Sequence, residues 1–118
     1  MALKHAALRE VIDLPTLETG LTAIASTSLI KTDQLQLLHI VLVAGNEMPP
    51  HAVSGEITVQ CLQGEVSVKT PAQDCVLRAG QLVVLPGEER HAIRAVEDAS
   101  LLLTLVRRDT IAGREAVR

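Results

Sequence analysis

The residues of this chain best suited to chemistry are histidines, His39, His51 and His91, set among carboxylates. Imidazole suits Zn, Fe, Ni or Cu, and a divalent transition ion usually takes three or four protein ligands. Two histidines therefore need a third donor. Glu47, in the loop before His51, is the first choice, because it needs no bulge to come beside His51. Glu56 comes second and His39 third, while Glu88 and Glu89 lie in the turn before His91. The plain alternative is that these carboxylates are solvated loop charges, as acidic side chains mostly are. No Ser-His-Asp order, Gly-rich phosphate loop or paired-cysteine motif is present, so nucleophilic and nucleotide chemistry have no support.

His39 lies in Leu35-Gln-Leu-Leu-His39-Ile-Val-Leu-Val43, where Leu35, Leu37, His39, Val41 and Val43 share a strand face. A histidine on such a face is more often a structural residue than a ligand. Farther on, Ile57-Val59-Cys61 form an apolar face that alternates with Thr58-Gln60-Leu62. If Ile57 points inward, Val59 and Cys61 line the interior with it; Cys61 is then either a pocket residue or a small buried hydrophobe. His51 follows Pro49-Pro50 and His91 follows the Pro86 turn, so both rings leave pre-set backbone and are expected to face each other.

The elements that must hold these residues read as strands. From Ser26 onward short apolar segments alternate with turn signals at Lys31 to Asp33, Gly45-Asn46 with Pro49-Pro50, Ser54-Gly55, Gln63-Gly64, Pro71 to Asp74, Ala79-Gly80, Pro86-Gly87 and Glu97-Asp98. Strands at such spacing indicate an all-β sandwich or barrel, and Gln63-Gly64 reads as a hairpin leading into Val66 and Val68. Residues 1–25 read as an N-terminal arm with at most one helical turn. Residues 109–118 read as a tail that frays or forms a brief helix. The 118 residues form one domain with its core at about 26–108.

The stretch from Gly45 through His51 to Gly64 resembles the first motif of the cupin superfamily, which runs Gly, five residues, His, one, His, three or four, Glu, six, Gly. Gly80, Pro86 and His91 match the second motif, Gly, five, Pro, one, Gly, two, His, three, Asn. The resemblance implies a double-stranded β-helix, the jelly-roll cupin barrel, with a pocket inside it near the two motifs. In metal-binding cupins the first motif supplies two His and a Glu and the second supplies one His. Here those positions hold His51, Val53, Ile57 and His91, and the second motif's later Gly and final Asn are replaced by Glu88 and Ala95. Glu56 sits one residue too early, which on a strand means the opposite face unless a bulge at Ser54-Gly55 turns it back.

The pocket expected from this reading is marked by His51 and His91 and lined by Val53, Ile57, Val59, Cys61 and His39. The first functional expectation is a small-molecule-binding cupin. The second is a metal-dependent enzyme, an oxygenase or isomerase, holding Zn, Ni, Fe or Mn on His51, His91 and Glu47. A sensor or structural dimer is the third. Phe, Tyr and Trp are absent and the net charge is −3, which argues against nucleic-acid binding. No apolar run approaches the ~20 residues of a membrane span, no signal peptide is read at the N-terminus, and two cysteines are too few for a disulfide scaffold. A cytoplasmic homodimer is expected.

Overall fold

With no aromatic side chain, the interior has to be built from branched aliphatics, which are stiff at χ1 and suit a pleated surface. The computed structural model describes residues 5–17 and 25–107, and from Ala25 onward it is all strand and turn. The strands are β1 (Ala25–Lys31), β2 (Leu35–Leu42), β3 (Glu47–His51), β4 (Ile57–Gln63), β5 (Glu65–Lys69), β6 (Asp74–Arg78), β7 (Leu82–Leu85), β8 (His91–Ala95) and β9 (Ala99–Val106). They form a five-stranded sheet in the order β1-β2-β9-β4-β7 and a four-stranded sheet in the order β3-β8-β5-β6. Every pairing is antiparallel.

The core lies between the sheets. Ile40 and Leu42 of β2, Ile57, Val59 and Cys61 of β4, Val66 and Val68 of β5, Ile93 and Ala95 of β8, and Leu101 and Leu103 of β9 pack into one cluster. Burying a Val, Leu or Ile side chain fully is worth about 1.5–3 kcal/mol. The expected phase of β4 is therefore correct, with Ile57, Val59 and Cys61 facing in.

Two local readings are corrected. Gln63-Gly64 does not close a hairpin: β4 pairs with β7 and β9, while β5 pairs with β6 and β8. The chain crosses between sheets there, with Gly64 at φ +81, so close to the Asp98 carbonyl that a Cβ would collide with it. Pro49-Pro50 is not a turn but part of β3. Two prolines are tolerated because β3 is an edge strand, and the register with β8 shifts between Met48 and His51, which is where a bulge absorbs them.

The arm over 5–17 has no helix; a single turn at Leu8-Arg9 is its only regular feature among the described residues. It is tied at both ends. Ala6 N donates to Leu29 O at 2.8 Å, and Leu17 N donates to Gln63 Oε1 at 2.8 Å. The same Gln63 oxygen accepts from Ser100 Oγ at 3.2 Å. The expected C-terminal tail lies outside the described residues. No helix of the described residues is long and apolar enough to cross a membrane.

Candidate functional site

Two strand ends place the histidines. β3 ends at His51 and β8 begins at His91, and the two residues are register partners. Alternation along β8 turns His91, Ile93 and Ala95 inward, all buried, and leaves Arg94 exposed. The rings lie 4.6 Å apart between centroids, tilted by 55°. His51 is solvent-exposed, while His91 is only 1 % exposed.

The loops beside them are stitched together. Glu88 N donates to Val53 O at 2.7 Å, and a Cβ on Gly87 would stand 2.6 Å from Ser54 O, so only glycine fits this crossing. Arg90 Nη2 donates to Pro50 O at 3.4 Å, joining the residues that precede the two histidines. Glu88 adopts φ +67. The position where the cupin motif carries its second Gly is thus left-handed in this chain, which fills it with a side chain that disfavours that region.

Each imidazole is oriented by its own backbone. His51 Nδ1 lies 3.3 Å from Pro49 O and His91 Nδ1 lies 3.1 Å from Glu89 O. A carbonyl oxygen can only accept, so in both contacts Nδ1 carries the proton, and in a neutral ring Nε2 then holds a lone pair. His91 Nε2 is buried with no hydrogen-bond partner. Burial pushes the His91 pKa down, and the charge of His51 adds to this, while the Glu89 carbonyl and carboxylate work the other way.

The remaining expected site residues separate. Glu47 is exposed and pairs across from Arg94, whereas Met48 pairs with Ile93 and packs against the core. Alternation along β3 sets Glu47 opposite Met48, on the face that carries Arg94, and it forms no three-donor group with the two rings. Glu56 is exposed in the loop before β4. Val53 is half-buried against the core, and Ile57, Val59 and Cys61 are packed within it. The Cys61 thiol donates to Gln63 O at 3.4 Å, and burial is the main cause that raises its pKa.

His39 stands apart from the two rings. The inward residues of β2 are Leu38, Ile40 and Leu42, so the face shared by Leu37, His39 and Val41 is the outer one. His39 pairs there with Thr27 and Leu102. It is 4 % exposed, its Nε2 has no partner, and burial lowers its pKa. The strand face was read correctly, but a period of two cannot say which face is inside.

Sequence reasoning missed a cleft of about 360 Å³ beside His91, lined by Glu47, Pro50, Lys69, Asp74, Arg90 and Ala92 among others. Lys69 pairs with Ala92 and Asp74, so a small residue forms the floor between longer ones. Its signal was spread over four strands and was not visible in any one motif. Met48 was missed because strict alternation sets it opposite His51, and the register shift at Pro49-Pro50 that changes this is not visible in the sequence.

Among solved structures, a conserved protein of unknown function from Streptococcus pyogenes is 24 % identical, with a TM-score of 0.73 over 91 % of this chain and 95 % of that one. A cupin superfamily protein from Desulfitobacterium hafniense is 19 % identical with a TM-score of 0.75, over 89 % and 99 %. An RmlC-like cupin family protein with a double-stranded β-helix fold from Methanocaldococcus jannaschii is 17 % identical with a TM-score of 0.71, over 88 % and 98 %. The chain has a cupin fold. No protein-family model and no curated protein sequence matches it.

A divalent metal held as in metal-binding cupins does not fit this barrel end. Of the four positions that carry ligands in metal-binding cupins, Val53 and Ile57 have no donor atom. No group of three or more His, Cys, Asp or Glu among the described residues is placed to hold an ion.

Proposed function

We propose that this cupin binds a small molecule at the end of its barrel, at the His51/His91 pair. The observation that carries this reading is the His91 Nε2 lone pair, buried and unpartnered beside a second ring whose Nδ1 is engaged in the same way. Leaving such a nitrogen unsatisfied costs about 1–3 kcal/mol, which an occupant would recover. The metal-dependent enzyme is the weaker reading, because the pair lacks a third protein donor.

Native mass spectrometry and elemental analysis of untagged protein, followed by calorimetric titration with Zn, Ni and Mn, separate the two readings. A co-purifying organic mass, with divalent binding that is weak and easily chelated, supports the small-molecule reading. Tight stoichiometric divalent binding abolished by His51→Ala and by His91→Ala overturns it.

We further propose that the protein is a homodimer. Val11 of the arm is 87 % exposed, and Leu82 and Val84 of the edge strand β7 are 53 % and 54 % exposed, apolar surface that a two-fold interface would cover. Sedimentation is expected to give twice the 12.6 kDa chain mass; a monomer at micromolar concentration removes the proposal.

A further inference from the structure

The outer faces of the two sheets differ in charge. In the five-stranded sheet β2, β4, β7 and β9 hold no Asp, Glu, Lys or Arg, and the one charged strand residue is Lys31, the last of β1. Lys31 pairs with Gln36, which alternates with the outward Leu35 and Leu37, so it too is off the outer face. The four-stranded sheet, though smaller, carries Glu47, Glu65, Lys69, Asp74, Arg78 and Arg94. Register, and alternation with the buried Val66, Val68 and Ile93, set all six outward.

We infer that the outer face of the five-stranded sheet is where a second copy of this chain docks, face to face about a two-fold axis. This rests on the homodimer reading above and adds the surface that forms the dimer.

The composition of the face favours a copy of itself. In one outward row Thr104 pairs with Thr58 and Thr58 with Val84; in the next Leu102 pairs with Gln60 and Gln60 with Leu82. Leu82 and Val84 are more than half exposed. Its one titratable side chain, His39, is buried, and burial lowers its pKa, so the face stays uncharged at neutral pH. A charged partner surface laid on these rows would lose water and gain no counter-charge. A second copy meets no such penalty, because the two-fold axis sets uncharged rows against uncharged rows. Each copy carries a net charge of −3, and this contact leaves the two charged sheets on opposite sides of the dimer.

Size agrees as well. β2 and β9 are each eight residues long, and at the usual strand rise and spacing the five strands present a flat footprint of roughly 500 Å². Side-chain relief and the arm's exposed Leu8 and Val11 beside β1 add to it, towards the about 800 Å² of accessible surface that a standard interface takes from each partner. Arg9, Glu10 and Asp13 of the arm, all exposed, supply the polar rim.

Sedimentation velocity tests the face. Leu82→Arg/Val84→Arg is compared with Val76→Arg, a similarly exposed apolar position on β6 of the charged sheet. The double variant is expected to raise the dimer dissociation constant about hundredfold or more, since four like charges would enter one interface, and Val76→Arg to leave it unchanged. The wild-type constant is expected not to weaken as NaCl rises from about 50 mM to about 1 M, because an uncharged interface offers nothing to screen. A double variant that dimerises like wild type, or a Val76→Arg variant that does not, overturns the face and leaves the homodimer standing. A wild-type monomer overturns both and leaves the face to a different partner. If the double variant does not fold, the salt series decides: a dimer loosened by salt overturns the face, and one that holds supports it.

Discussion

His51 and His91 are register partners across β3 and β8, and each ring is held by its own Nδ1 against the carbonyl two residues earlier in the chain. The device is the same on both sides although the burial is not. A ring fixed in this way cannot rotate to offer its other nitrogen without losing the carbonyl. The arrangement therefore presents acceptors from rigid strand ends, the kind of support that keeps a binding geometry narrow.

Acid should destabilise this protein earlier than its carboxylates alone would dictate. Burial lowers the pKa of His91 and of His39 from the ordinary value of 6.5. Below 6.5 the unfolded chain takes up protons that the folded one resists, so stability is complete above that pH and is lost as pH falls toward the depressed folded values. His51 and Glu89 act on His91 directly, and Glu47, Lys69, Asp74 and Arg90 surround the adjoining cleft. Melting temperature is expected to fall between pH 7 and pH 5, with a shallower fall in His39→Leu. A flat profile across that range would contradict the burial of both rings.

His39→Leu should raise stability at neutral pH. The ring is buried on the outer face of the five-stranded sheet with an unpartnered Nε2, and leucine removes that unsatisfied atom at similar volume. A gain of about 1 kcal/mol in urea unfolding is expected. Binding at the His51/His91 pair should not change, since His39 lies on the other side of its sheet. A loss of binding would return His39 to the pocket in which the sequence reading placed it.

The strand plan, most of its turns and the inward phase of β4 were legible because alternation and Gly/Pro punctuation are local signals. What escaped was non-local. Whether His39 faced in or out depended on which face of β2 met the second sheet. The side of Glu47 follows from the register with β8, and Gln63-Gly64 resembles a hairpin although its flanking strands belong to different sheets. Facing histidines could be anticipated from two motifs; their shared tautomer could not, because it depends on ring orientation at each strand end.

Backbone conformation gives opposite outcomes at two positions. Glu88 holds φ +67, so Glu88→Gly should stabilise by about 0.5–1 kcal/mol, the relief of the left-handed strain offset by the greater freedom of glycine in the unfolded chain. Gly64→Ala should cost about 2–4 kcal/mol, because at φ +81 its Cβ would collide with the Asp98 carbonyl and lie 2.8 Å from Ala99 Cα. Equilibrium denaturation of the two variants measures both, and the signs matter more than the sizes. If both lose stability, the left-handed backbone at Glu88 is not a source of strain.

The two thiols should react at very different rates in native protein. Cys61 is fully buried in the core and its thiol donates to backbone carbonyls of Gln63 and Gly64, and burial holds its pKa above the ordinary value. The thiolate is the reactive species, so a raised pKa and lack of access act in the same direction. Cys75, on the edge strand β6, is half-buried and has no such shelter. With a chromogenic disulfide reagent, one equivalent should react promptly and the second only on unfolding, and Cys75→Ser should remove the fast phase alone. Labelling of Cys61 on the fast timescale would mean that β4 opens readily in the native state, and the Ile57, Val59 and Cys61 face could then not be the closed core seen here.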